Sequence, residues 1–290
     1  MLYLRCMEEF MNNKIVAIMY DFDKTLCTKD MQEYTFIPNL GMTPSDFWAE
    51  ANRLREVDKM DQVLTYMYLM VKKTEDIGYH LTREYLRDMG DKIELFPGVL
   101  DWFDRINKYA KERGITIEHY IISSGVKEII EGSKIGEYFK KVYASEFHYD
   151  EKGHAVWPNV AINYTNKTQF LMRINKGILD TSDDYGINKR MEKKDRRIAL
   201  NNMIYIGDGI TDVPCMKLTK EGGGVSIAVY TDKSEKIAHD LYMDERINYM
   251  APADYRDGSR IDTVVKKTID AMALSAELSD MSKSEGLHTR

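Results

Sequence analysis

Two carboxylates, Asp21 and Asp23, stand two residues apart in Tyr20-Asp21-Phe22-Asp23-Lys24-Thr25-Leu26, directly after the apolar run Ile15-Val16-Ala17-Ile18-Met19. Side chains at i and i+2 share one face of an extended chain, so both acids could converge on a single substrate atom. Like charges that close raise at least one carboxyl pKa unless a cation lies between them, which would let one acid act as an ionised nucleophile while the other carries a proton. Taken alone, the pair fits equally well aspartates that cap a turn or the following helix.

Three later segments supply complementary chemistry. Ile117-Glu118-His119-Tyr120-Ile121-Ile122 reads as a second buried strand, ending in Ser123, Ser124 and Gly125 before a helical stretch from Lys127. A hydroxyl and free backbone N–H groups at a helix start suit an anion. Asn202-Met203-Ile204-Tyr205-Ile206 reads as a third strand and leads into Gly207-Asp208-Gly209-Ile210-Thr211-Asp212. The two glycines are expected to permit a tight turn, and Asp208 and Asp212 offer hard oxygen ligands to Mg²⁺. Lys167, at an expected helix start in Asn166-Lys167-Thr168, could meet a phosphate as a point charge.

These four elements, in this order, resemble the signature of the haloacid dehalogenase superfamily, specifically its Mg²⁺-dependent phosphatases. The resemblance implies an α/β fold: a Rossmann-like, doubly wound parallel sheet core over residues 14–27 and 94–275, with an inserted α-helical cap over 28–93. Residues 1–13 are then an N-terminal extension and 276–290 a flexible tail. Asp21 is implied as the nucleophile that forms an aspartyl-phosphate, and Asp23 as the acid that protonates the departing alkoxide and then activates water. Mg²⁺ is implied at Asp21, the backbone carbonyl of Asp23, Asp208 and Asp212. Ser123 and Lys167, with Phe22, Ser124 and Gly125, are implied to hold the phosphoryl oxygens. An acid at position 23 serves expulsion of a poor alkoxide better than cleavage of a carbon–halogen bond, so the expected substrate is a small phosphorylated metabolite.

A helical cap after the first motif resembles the phosphoserine phosphatase branch, where Asp30 stands near the place of a substrate-reading glutamate. Three features depart from that branch: Ser124 replaces a glycine, Thr211 replaces an asparagine, and the stretch from Lys167 to Asp208 is longer. Glu33, Arg53, Arg55 and Tyr34 are further residues of the cap that could touch a leaving group, although a solvated helix face accounts for each of them too. Two other classes compete. A phosphotransferase would pass the same aspartyl-phosphate to an alcohol, and a regulatory module would bind phosphate without turnover. Retention of Asp21, Asp23, Lys167, Asp208 and Asp212 favours catalysis.

The elements that must position these groups are legible in outline. Thr43-Pro44 predicts a capped helix start. Val63, Tyr66, Met67, Met70 and Val71 recur at helical spacing, and Leu64, Tyr68 and Leu69 broaden the apolar face, predicting a helix buried on most sides. Glu94 to Val99 is expected to return the chain to the core, followed by a helix from Val99 to Arg113. A strand at Val142–Ser145, a hairpin from Phe147 to Trp157, a strand at Val225–Tyr230 and a final helix through Ile261, Val265 and Ile269 follow, with a solvated tail after Glu277. The charged stretch 180–197 interleaves acids with bases and reads as an exposed helix or loop, with partial cover of the active-site mouth as a weaker alternative.

Composition sets the outer bounds. The chain has 290 residues, 43% hydrophobic and 30% charged, which suits a globular protein with a well-buried core. A formal net charge of −6 argues against nucleic acid as partner, and no apolar run approaches a membrane span. Residues 1–14 lack a long apolar segment and do not read as a signal peptide, so the cytoplasm is the default location. Cys6, Cys27 and Cys215 match no zinc spacing and read as small residues of a reducing compartment rather than as catalytic groups.

Overall fold

The computed structural model of the protein describes residues 14–287, with side chains as far as residue 282, so the extension at 1–13 and Cys6 lie outside the described residues. Its centre is β1 (Ile15–Tyr20), in which every residue from Val16 to Tyr20 is buried. Such an unbroken apolar strand is stable only with both faces covered. Val16, Ile18 and Tyr20 enter one core, beside Trp102, Phe103 and Ile106 of α5 (Val99–Lys111) and Ile261, Val265 and Ile269 of α11 (Arg260–Leu287). Ala17 and Met19 enter the other, beside Phe170, Leu171 and Ile174 of α7 (Lys167–Lys176) and Cys215 and Met216 of α9 (Val213–Glu221).

Seven strands form the sheet in the order β4-β3-β2-β1-β5-β6-β7. From β1 the chain builds β2 (Thr116–Val126), β3 (Phe139–Tyr149) and β4 (Ala155–Val160) on one side. It then crosses over to build β5 (Met203–Gly207), β6 (Val225–Tyr230) and β7 (Tyr249–Pro252) on the other. All neighbours pair in parallel except the β3–β4 hairpin. The reversal of strand order beside β1 opens a crevice at the carboxyl ends of β1, β2 and β5, where ligands of doubly wound sheets bind. Register brings the sequence motifs to that crevice: Tyr20 lies opposite both Ile121 and Ile206, so the residues that follow each strand meet at one edge.

The α-helical cap is inserted between β1 and α5. Cys27 bridges to Leu95, Thr28 N–H donates to Glu94 O at 3.0 Å and Phe96 N–H to Leu26 O at 3.0 Å, so the outgoing and returning chains run side by side. Between them lie α1 (Phe36–Asn39), α2 (Pro44–Asp58), α3 (Gln62–Asp76) and α4 (Arg83–Gly90). Thr43 caps α2 by accepting from Asp46 N–H, with Pro44 at the first position. Helix α3 buries Val63, Tyr66, Met67, Leu69 and Met70, but Leu64 and Tyr68 are exposed, so its buried stripe is narrower than the apolar pattern predicted.

One other expectation is corrected, and of the two readings of the charged insert the exposed helix or loop is the one the structure shows. Residues 276–287 continue α11 as helix rather than forming a flexible tail. The charged insert holds a short helix, α8 (Asp184–Asn188), and sits at the carboxyl end of α7, not at the cleft. There Arg173 donates to Asp180 O at 2.6 Å and Thr181 O at 3.1 Å, and Lys176 to Lys189 O at 2.9 Å. Cations in the last turn of a helix suit its negative end, and here they also organise the loop. Among the described residues, no helix is long and apolar enough to cross a membrane.

A buried polar chain supports the end of β1. Trp102 Nε1–H donates to Tyr20 Oη at 2.9 Å, Tyr20 Oη–H donates to His119 Nδ1 at 3.0 Å, and His119 Nε2–H donates to Asn107 Oδ1 at 3.0 Å. That order of donors needs a neutral imidazole, and burial pushes the His119 pKa from 6.5 down to about 3. As pH falls below 6.5 an unfolded chain takes up the proton first, so stability is complete above that value and drains away toward pH 3. Because the raised carboxyls of the cleft gain protons over the same range in both proteins, the urea midpoint of the native chain should fall relative to that of His119→Gln between about pH 7 and about pH 5; equal slopes for the two proteins would contradict it.

Candidate active site

Asp21 follows β1 directly, its backbone N–H anchored on Ile206 O at 2.9 Å. Lys167, at the first turn of α7 and 1% exposed, donates to Asp21 Oδ1 at 3.0 Å and to Asp212 Oδ1 at 2.8 Å. The lysine is aimed by the turn before it, where Asn163 Oδ1 accepts from Thr165 N–H at 3.0 Å and Asn166 N–H at 3.2 Å. Asp212 is fully buried, and Tyr205 Oη–H adds a second donor to its Oδ1 at 2.8 Å. Its Oδ2 has no hydrogen-bond partner. Oxygens of Asp21, Asp208 and Asp212 lie within 4.8 Å of one another.

Three carboxylates facing one ammonium leave an excess of negative charge in a buried place. Burial pushes the Asp21 carboxyl up to about 6, with Lys167 opposing the rise and Asp212 adding to it. Burial, then Asp212 and Asp21, likewise raises Asp208. For Lys167, burial alone would lower the pKa, but Asp21 and Asp212 outweigh it and hold the ammonium charged. An orphaned buried oxygen within a hard, all-oxygen donor set fits a divalent cation such as Mg²⁺. The side chain of Asp23 stands outside this trio.

Asp23 faces the cleft from the next turn. Its Oδ1 accepts from Met31 N–H at 2.9 Å, and burial, then the charges of Asp30 and Asp21, raises its pKa well above the ordinary carboxyl value. A carboxyl in that environment retains its proton more readily, as a general acid requires. Lys24 beside it holds a left-handed φ of 57°, uncommon for a residue with a Cβ and often a mark of functional loops. The Phe22 ring is fully buried, so that residue can offer a ligand only its backbone, and its N–H helps hold the charge of Asp21.

The β2 end completes the crevice. Ser123 Oγ accepts from Gly125 N–H at 3.1 Å, which leaves the hydroxyl proton free to donate. Ser124 O accepts from Ser145 Oγ–H at 3.2 Å and from Tyr66 Oη–H of the cap. At Gly125 a Cβ would come within 2.1 Å of Met31 Cε and 3.1 Å of Asp23 Oδ2, so glycine lets this loop approach the acid. Gly207 acts similarly: a Cβ there would stand 2.5 Å from Asp212 Oδ2. The expected tight turn is present, closed by Asp212 N–H on Gly209 O at 3.1 Å, while Gly207 serves a close approach and Gly209 is extended at φ −152°.

A cleft of about 480 Å³ joins Asp21, Asp23, Ser123, Ser124, Gly125, Lys167 and Asp208 to the cap. Of the cap residues singled out from sequence, Asp30 reaches the cleft but is paired with Lys24 Nζ at 2.6 Å. Glu33 accepts from Trp48 Nε1–H at 2.8 Å and does not line the cleft, nor does Arg53, whereas Arg55 does. Sequence reasoning missed Lys24, Gln32, Trp48, Asn163 and Tyr205. Only Asn163 carried a local signal, an Asn-rich turn before a helix start. Cys27 and Cys215 are buried free thiols, raised by burial, to about 12 for Cys215, and so remain protonated structural groups.

A family model described as haloacid dehalogenase-like hydrolase matches residues 18–217, and the chain belongs to that family. An uncharacterized protein of Borreliella burgdorferi (strain ATCC 35210 / DSM 4680 / CIP 102532 / B31) is 29% identical over 274 residues, covering 85% of this chain and 94% of that protein. A haloacid dehalogenase family hydrolase of Salmonella enterica subsp. enterica serovar Typhi shares the fold at a TM-score of 0.55 and 20% identity, covering 82% of this chain and 68% of its own. A phosphoserine phosphatase solved as a phospho-aspartyl intermediate analogue does so at 0.52 and 15% identity, over 88% and 99%. Cytosolic 5'-nucleotidase IIIB bound to cytidine matches at 0.51 and 16%, over 92% and 91%.

Removing the ammonium should expose how strained the carboxylate cluster is. Lys167→Met is expected to destabilise the protein in EDTA by about 3 kcal/mol or more, because buried like charges lose their partner. Added Mg²⁺ should raise the melting temperature of this variant more than that of the native chain. An unchanged melting temperature in EDTA would contradict the electrostatic account.

Proposed function

We propose that the protein is a Mg²⁺-dependent phosphatase that hydrolyses a small phosphomonoester through an aspartyl-phosphate on Asp21. The observation that carries this reading is the meeting of Asp21, Lys167, Asp208 and Asp212 at the carboxyl end of β1, with Asp212 Oδ2 left without a partner. Bound at Asp21, Asp208 and Asp212, Mg²⁺ would supply the positive charge that lets an anionic phosphate approach a carboxylate.

The chain's own groups divide the work. Lys167 holds Asp21 in place and presents its ammonium to a phosphoryl oxygen. The Ser123 hydroxyl, with its oxygen already engaged by Gly125 N–H, is left as a donor to a second oxygen. Asp21 attacks phosphorus in line, forming the new P–O bond as the ester P–O bond breaks. Asp23 gives its proton to the departing alkoxide and, as a carboxylate, takes one from the water that cleaves the aspartyl-phosphate. The contact of Met31 N–H with Asp23 Oδ1 leaves Oδ2 to make these transfers. A phosphoserine phosphatase of the same fold, solved with a phospho-aspartyl intermediate analogue, supports the same route.

Phosphate release from a panel of phosphomonoesters should require Mg²⁺ and should fall at least about 10³-fold in Asp21→Asn, as expected for loss of a nucleophile. Asp23→Asn should lower turnover most for esters with poor leaving groups and least for p-nitrophenyl phosphate. Phosphate transfer to added alcohols in preference to water would instead favour a phosphotransferase, and activity retained by Asp21→Asn would overturn the mechanism.

A further inference from the structure

The cap's contribution to the cleft is unusual in what it leaves unpaired. Asp30 is matched by Lys24 at 2.6 Å. Asp61 is saturated: its Oδ1 accepts from Val63 N–H at 2.9 Å and Leu64 N–H at 3.2 Å, and its Oδ2 from Asn163 Nδ2–H at 3.0 Å. Both carboxylates that the cap turns toward the cleft are therefore engaged. Gln32, between Asp30 and Glu33, lines the same cleft, is 2% exposed and has no hydrogen-bond partner for its Oε1. Leaving a buried amide group unsatisfied costs about 1–3 kcal/mol, so such groups call for a ligand to complete them.

Resting on the phosphatase reading, we propose that Gln32 is a specificity-determining residue that hydrogen-bonds a hydroxyl of the leaving group, so that the substrates are phosphate esters of polyhydroxylated alcohols. An amide accepts and donates without charge, which suits a hydroxyl. An ammonium drawn into the same place would lose its water and find no free carboxylate of the cap to replace it. Arg55, the cation that the cap adds to the cleft, repels an ammonium and could match only the carboxylate of an amino acid, which leaves the ammonium without a partner. A phosphorylated amino acid or amino alcohol is thus the poorer fit, and a glycerol or sugar phosphate the better one.

The test compares the native chain with Gln32→Leu and Gln32→Glu on glycerol 3-phosphate, a hexose phosphate, phosphoserine and p-nitrophenyl phosphate, all with Mg²⁺. The native protein should prefer a hydroxylated ester over phosphoserine by about tenfold or more in kcat/KM. Gln32→Leu should raise KM for the hydroxylated esters by about tenfold relative to p-nitrophenyl phosphate, with a melting temperature no lower than native because an unsatisfied polar group is gone. Gln32→Glu should move the preference toward phosphoserine. Phosphoserine as the best native ester, or a Gln32→Leu variant that shifts every ester alike, would overturn the proposal while leaving the phosphatase reading intact. A native protein inert toward p-nitrophenyl phosphate and all the other esters would defeat both.

Discussion

One buried ammonium among three carboxylates sets the terms for the rest of the molecule. Lys167 lies almost out of reach of water and touches Asp21 and Asp212 at once, while Asp208 completes the acid cluster. Each of these charges would be costly alone in a buried place, and one cation cannot neutralise three anions. The residue of negative charge explains why burial and mutual repulsion raise Asp21 to about 6 and Asp208 upward, and why an Asp212 oxygen is left unpaired. A site so arranged is stable enough to fold and electrostatically incomplete until a second cation arrives.

The scaffold keeps that arrangement from relaxing. The acids and the lysine come from β1, α7 and the segment after β5, and parallel pairing fixes the strand ends relative to one another. Beneath Asp21, the chain from Trp102 through Tyr20 and His119 to Asn107 satisfies every buried polar group in turn, so the last residue of β1 cannot shift without breaking it. On the open side, the cap is tied to the core near the site by Tyr66 to Ser124 and by Asn163 to Asp61. The rigid floor positions the reacting groups, and the cap supplies the surface that meets the leaving group.

The sequence carried the floor better than the cap. Apolar runs ending in Asp21, Ser123 and near Asp208 made three buried strands legible, because burial on both faces leaves a pattern that needs no long-range information, whereas the meeting of their motifs was implied by the family resemblance. Pairings between distant side chains leave no such pattern. The pairing of Asp30 with Lys24 and the turning of Arg55 rather than Arg53 toward the cleft are of this kind, and Gln32 carries no signal in the sequence at all. Leu64 and Tyr68 broadened the apolar face of α3 in the sequence, yet they point to solvent, since apolarity permits burial without compelling it. The glycines of the last motif were expected for backbone freedom, whereas Gly207 is there for the space that Asp212 occupies.

Acid-quenched protein, mixed briefly with Mg²⁺ and its best phosphomonoester, then digested and analysed by mass spectrometry, tests the central claim most directly. The account predicts phosphate bonded to Asp21, absent without Mg²⁺ and absent in Asp21→Asn. Steady phosphate release with Asp21 never labelled would contradict it.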